Sequence, residues 1–466
     1  MATREGACAR ARAAMEDGTF LADLARRVAI PTESQILERR PDLYRYLTDE
    51  IGPSFDRMGY TWRVIDNPVS ERGPVILAER LVDPAKPTAL IYGHGDVVRG
   101  LPEAWEAGLD PFTLTERGDR VYGRGTVDNK GQHSLAMTAA QAVAEENGGA
   151  PRANMKFVIE TGEEQGSPGL QDILEQHREA FAADVFIGLD GPRMAFDRMD
   201  MTLGCRGGYR FDLIVDLGRS GGLHSGHWGG VLPDAGIILA QALASLTTPQ
   251  GRIRVPGWLP ERVPDSVLAA CRAIKADPVP GMPEPDPEWA ETALSYAEKI
   301  YAWTSFIILA YTTGNPDNPV NSVPSRAVAT CQIRHTVDVP AERLMPALRQ
   351  HLDDNGFGMV EIEPVVTREQ FAPSRTDPTE PWVQWVAQSL ERTTGMAPNI
   401  KPSSAGSNPS EMFRQVLGVP VIWIPHSYSG CNQHGANEHG LKPLFAEGLE
   451  AMAGVFWDLG DGPPAG

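Results

Sequence analysis

Apolar positions recur along this chain with two different spacings. Phe20, Leu21, Leu24 and Val28 form the stripe of an amphipathic helix within a helical first thirty residues, and a second helix is predicted over 40–58. From residue 61 the pattern shortens to apolar runs, "TWRVI", "PVILAER" and "TALIYGH", which read as strands. A helix over 131–146, a strand at "MKFVIE", a helix over 168–181 and a strand at "DVFIGLD" follow. Strands that alternate with helices predict an α/β fold around a mixed, mostly parallel sheet.

Near residue 205 the pattern changes. "GGYRFDLIVDL" and "SRAVATCQIRHTVD" alternate apolar and polar residues, as half-exposed strands do. Helices are predicted over 233–246 and 340–354, with "MVEIEPVV" as a further strand, and the proline-rich stretch 249–290 reads as an irregular insertion. From about 376 the chain returns to the earlier style, with the strand "VPVIWIPH" and a last helix. The expected organisation is a small α+β domain, residues 206–372, inserted into a domain built from 1–205 and 373–466.

Composition narrows the function classes. A 42% hydrophobic chain of 466 residues can build more than one core. With 61 acidic against 42 basic residues the net charge is −19, which opposes a nucleic-acid or anionic-membrane surface. No apolar run approaches 18–20 residues, and the N-terminus has no apolar signal core, so neither a membrane span nor secretion is expected. Five scattered cysteines without CxxC spacing suggest reduced thiols and a cytoplasmic setting.

Candidate chemistry collects just after the apolar strands, where α/β folds gather their ligands. "ALIYGHGDVV" carries His94 and Asp96, "VYGRGTVDNKGQ" carries Asp128, and "VIETGEEQGS" carries the adjacent acids Glu163 and Glu164. "VFIGLDGP" carries Asp190, and "SGCNQHGANEH" carries His434. Imidazoles and carboxylates in this number suit a pair of divalent metals that share one carboxylate. The glycine loop "GRGTVDNKG" lacks both common phosphate-loop patterns, which opposes a nucleotide-dependent enzyme.

Five motifs in this order, "GHGDVV", "GRGTVDNKG", "GEEQGSPGL", "LDG" and "HGANE", resemble the M20 metallopeptidases, and "GGLHSGHWGG", "VNSVPSRAVATCQIR" and "AGSNPSEMFRQVLGVPV" resemble the carnosinase-like branch. The resemblance implies a zinc-peptidase-like catalytic domain with an inserted lid and dimerisation domain. It implies that His94 and Asp190 hold one metal, Glu164 and His434 the other, and that Asp128 bridges them ahead of a cis peptide to Asn129. Zinc is the expected metal, with manganese or cobalt as alternatives. Glu163 is implied as general base and Asp96 as the acceptor that fixes His94. Arg334, Gly406 and Ser407 are implied to bind the substrate, with His224 and Asn321 supplied by the second subunit of a homodimer. The implied reaction is amide hydrolysis of dipeptides, or alternatively of N-acyl amino acids. Gly222 before "LHSG", Asn321, the loop "SAGSNPSE" and His439 depart from commoner family patterns, and all bear on substrate identity.

Overall fold

The protein is described from a computed structural model over residues 1–69, 73–219, 223–277, 284–365 and 372–461. An eight-stranded sheet forms its main body. Four strands in its middle, Asn154–Glu160, Thr88–His94, Val185–Gly188 and Val421–Trp423, lie side by side and run parallel. Thr61–Ile65 and Val75–Arg80 extend one side antiparallel, and Asp200–Thr202 with Asn399–Lys401 extend the other.

The parallel strands are apolar on both faces because both faces are covered. Ile91 and Phe157 point into one layer, with helices Arg4–Glu16, Lys130–Glu146, Pro381–Thr394 and Lys442–Asp458. Leu90, Tyr92 and Val158 point into the other, against Leu170–Gln176 and Ser410–Leu417. This is the expected mixed α/β architecture. Four parallel neighbours end at one edge, so the residues after them converge there. No helix among the described residues is long and apolar enough to cross a membrane.

A second sheet is wholly antiparallel, in the order Ser305–Thr313, Arg326–His335, Gly207–Asp216, Glu361–Pro364. Phe211, Leu213, Ala329 and Ile333 pack beneath Leu239 and Leu348 of helices Ala235–Leu246 and Ala341–Asp354.

Several elements differ in detail from the sequence expectation. The helix expected over 40–58 is interrupted by a π-helical turn at Tyr46–Ile51, and that over 168–181 breaks at His177. Ser305–Thr313 was not expected as a strand, because "SFIILAYTT" has no alternation to mark it. Nor is 249–290 irregular throughout. It contains helix Asp265–Ala273 and buries Trp258, whose Nε1 donates to the Leu344 carbonyl at 2.8 Å. The amide of Lys275 donates to Asn399 Oδ1 at 2.8 Å, so this segment ties the two sheets together.

Candidate metal centre and active site

His94 ends its strand fully buried, and Asp128 follows the glycine loop ahead of helix Lys130–Glu146. Asp128 turns its two oxygens to two different histidines. Oδ1 lies 3.0 Å from His94 Nε2, and Oδ2 lies 2.8 Å from His434 Nε2. Asp190 Oδ2 stands 3.9 Å from His94 Nε2, and Glu164 Oε2 stands 3.2 Å from His434 Nε2. The result is two three-residue groups, His94–Asp128–Asp190 and Asp128–Glu164–His434, which share Asp128.

Charge and geometry both fit divalent cations. Tetrahedral bonds of about 2.1 Å place ligand atoms roughly 3.4 Å apart, within the spread of separations found here. Glu164 Oε1 is buried with no hydrogen-bond donor. Burial and the charge of Asp128 push Glu164 up to about 7 and Asp190 to about 6. Burial, reinforced by Glu164, Asp190 and Asp128 and opposed by His94, holds Glu163 well above the usual carboxylate range. Acids pushed up in this way mark a cluster short of positive charge. The histidines respond in the opposite sense: hydrogen bonds to Asp128 and Glu164 raise His434 to about 11, and His94 is raised by Asp128 and Asp96 despite its burial. Asp128 itself stays low, because its two histidine donors outweigh burial.

The peptide between Asp128 and Asn129 is cis. Asn129 fastens it to both flanking strand ends: Nδ2 donates to the Leu189 carbonyl at 2.5 Å, and Oδ1 accepts from the His94 amide at 3.3 Å. His434 has φ +61° in the loop after Val421–Trp423.

Asp96 does more than the sequence suggested. His94 Nδ1 lies 3.4 Å from its carboxylate and 3.1 Å from its carbonyl. The same carboxylate accepts the amides of Glu163 and Glu164 at 3.2 and 3.1 Å. One buried acid therefore orients a histidine from one strand end and the Glu163–Gln165 turn from the next. Glu163 Oε2 lies 4.0 Å from His94 Nε2.

Glu438 of "HGANE" is a supporting residue that the sequence does not reveal. It accepts Arg124 Nη1 at 2.8 Å and the amides of Gly125, Val127 and Asp128 at 3.0, 3.0 and 3.2 Å. It thereby fixes the loop that presents Asp128. Gln433 Nε2 also donates to Asp128 Oδ2 at 2.8 Å. His439 is a packing residue, buried against Tyr122 and bonded to the Tyr428 hydroxyl.

The remaining expected residues lie elsewhere. Arg334 Nη1 donates to Ser407 Oγ at 3.0 Å, beside the exposed Gly406. His224 and Asn321 are exposed neighbours, joined by the Asn321 carbonyl accepting the Ser225 amide at 2.9 Å. Among the described residues, no hydrogen bond or ion pair links either to the cluster.

Residues 90–458 match the peptidase family M20/M25/M40. This chain belongs to the M20 peptidase family. It is therefore an enzyme of the metallopeptidase class, as the five motifs led one to expect. The M20 chain is 34% identical to a Rattus norvegicus Beta-Ala-His dipeptidase over 402 residues, 83% of this chain and 80% of that one. It is 29% identical to a Corynebacterium striatum cysteinylglycine-S-conjugate dipeptidase over 333 residues, 69% and 70% of the two chains. Among solved structures, the M20 metallo-carboxypeptidase Sso-CP2 of Sulfolobus solfataricus shares the fold, with TM-score 0.75 and 22% identity over 95% of this chain and 99% of that one.

Proposed function

We propose that this M20 enzyme is a dipeptidase that cleaves the amide bond of small carboxylate-bearing peptides with two divalent metal ions, zinc by preference. The carrying observation is the pair of ligand groups sharing Asp128. His94 and Asp190 would hold one ion and Glu164 and His434 the other, with Asp128 common to both groups. The dipeptidase names of two relatives favour peptides over acylated amino acids.

Bound metal supplies the positive charge that polarises the scissile carbonyl and acidifies water. Glu163 takes the proton from the attacking water and delivers it to the leaving amine. Two facts support dividing the neighbouring acids this way: the Glu163 side chain is 16% exposed and the Glu164 side chain only 4%. Asp96 orients His94 and the Glu163 turn together. Arg334, with Ser407 and Gly406, anchors the carboxylate end of the substrate.

The working unit is a homodimer in which the partner subunit's His224 and the partner subunit's Asn321 complete the site. His224 stabilises negative charge developing on the carbonyl oxygen. The edge strand Ser305–Thr313 exposes Ile307, Ile308 and Leu309 by about half, and Val231, Ile237 and Val320 are more exposed still. Apolar surface on an unpaired strand edge favours a second copy as its cover. In this reading residues 206–372 form the lid and dimerisation domain. The five cysteines, all free and buried, suit a cytoplasmic enzyme.

Chelation followed by reconstitution, assayed on a panel of dipeptides and N-acyl amino acids, tests the reading. Metal-dependent turnover of dipeptides is expected. Turnover confined to acylated amino acids, or unaffected by chelation, would overturn it.

A further inference from the structure

Arg206 stands where the two sheets and the 405–407 loop meet. It follows the short strand Gly204–Cys205, which pairs with Ser374–Arg375, and directly precedes Gly207–Asp216 of the second sheet. Its side chain is nearly enclosed, the residue being 6% exposed. Nε and Nη2 donate to the Ala405 carbonyl at 3.3 and 3.0 Å, and Nη1 donates to Ser305 Oγ at 3.3 Å. Its own carbonyl accepts Ser407 Oγ at 3.1 Å, and Ser407 Oγ in turn accepts Arg334 Nη1 at 3.0 Å. The loop is thus held at both ends by one residue.

Strand register explains the arrangement. Gly208, Arg334 and Ser305 sit opposite one another on three adjacent strands. Gly208 has no Cβ, and one built there would come within 3.8 Å of Arg334 Nη1 and 3.9 Å of Ser407 Oγ. Arg334 Nη1 and Ser407 Oγ therefore lie at ordinary contact distance from the Gly208 position. On the other flank of Arg334, Ser305 receives Arg206, so the two guanidinium groups gather at one loop. Burial and the charge of Arg334 push Arg206 down to about 10.

We propose that Arg206 is a positioning residue for the substrate carboxylate: it clamps the Ala405–Ser407 loop and so sets the directions in which Arg334 and Ser407 donate. Discrimination between peptides with a free C-terminal carboxylate and those with a capped one then depends on Arg206 as well as Arg334. The inference rests on the dipeptidase reading above.

The test compares Arg206→Gln with the wild type on a cleaved dipeptide and on its C-terminal amide, with metal content measured alongside. KM for the free-carboxylate peptide should rise roughly tenfold, the effect of losing one well-aligned charged hydrogen bond. KM for the amide and the metal content should hold. Arg206→Gln and Arg334→Ala together should cost less than the product of their separate effects, because one acts through the other. Equal losses on both substrates, or multiplying effects, would overturn the proposal. If Arg206→Gln does not fold, Arg206→Lys keeps the buried charge but cannot reach Ala405 and Ser305 at once, and it faces the same comparison. A wild type inactive on every dipeptide would instead remove the underlying reading, a result distinct from either.

Discussion

Glu438→Gln is the substitution that probes the support of the site most sharply. One carboxylate accepts four donors, the Arg124 guanidinium and the loop amides of Gly125, Val127 and Asp128. Both ends of the ion pair are about 1% exposed. Glutamine keeps one oxygen for the amides and sets an NH2 group against Arg124. Burial already raises the Glu438 carboxyl above its ordinary range even beside Arg124. The intact pair is therefore a weak net stabiliser, and the damage comes from leaving Arg124 buried without an acceptor. That cost is about 3–5 kcal/mol. Urea unfolding followed by tryptophan fluorescence should show the loss, and adding Arg124→Met should restore part of it. Because the amide of Asp128 is one of the four donors, metal affinity should also fall roughly 10–100-fold, as for other groups that support ligands. An unchanged urea midpoint with unchanged metal affinity would refute the reasoning.

Mixing inactive Glu163→Ala chains with inactive His224→Ala chains should restore activity through hybrid dimers, and no recovery after confirmed subunit exchange would argue against a shared site. In the metal-free protein, Glu164 and Asp190 have folded pKa values above their ordinary 4.5 and 3.8, near 7 and 6. At these two acids the native state binds more protons than the unfolded one, so their contribution to stability should fall as pH rises through that window, while His133 and His426, held low by burial, contribute in the opposite sense with or without metal. His434, raised to about 11, continues the decline above its ordinary 6.5. Unfolding measured from pH 4 to 8 with and without metal should show the stabilisation by metal growing as pH rises through that window; a metal-induced gain that does not change with pH would contradict the charge balance described.

Much of the fold is visible in the sequence because its pattern is strong. The parallel strands are covered on both faces and read as plain apolar runs, while Gly207–Asp216 and Arg326–His335 alternate because only one face is covered by helices. Ser305–Thr313 carries no such signal because its exposed face is apolar as well, so burial leaves no alternation to read. At the site, His94, Asp128, Glu163, Glu164, Asp190 and His434 each follow a strand or glycine loop, and topology alone brings them together. The supporting residues were harder to see. Asp96 receives two amides from a segment 67 and 68 positions away, and Glu438 receives its donors from more than 300 positions away. Arg206 looks like any arginine at the start of a strand until the return of the 405–407 loop is known. Such contacts depend on chain crossings that no local period encodes.

The central claim is that Glu163 moves the proton while its neighbour Glu164 holds metal. Metal analysis and turnover, measured on the same preparations of Glu163→Gln and Glu164→Gln, separate the two roles. Glu163→Gln should keep about two divalent ions per chain and lose turnover by roughly 100-fold or more, the share expected of a general base. Glu164→Gln should lose one of the ions. Loss of metal in Glu163→Gln, or turnover that survives it, would contradict the account.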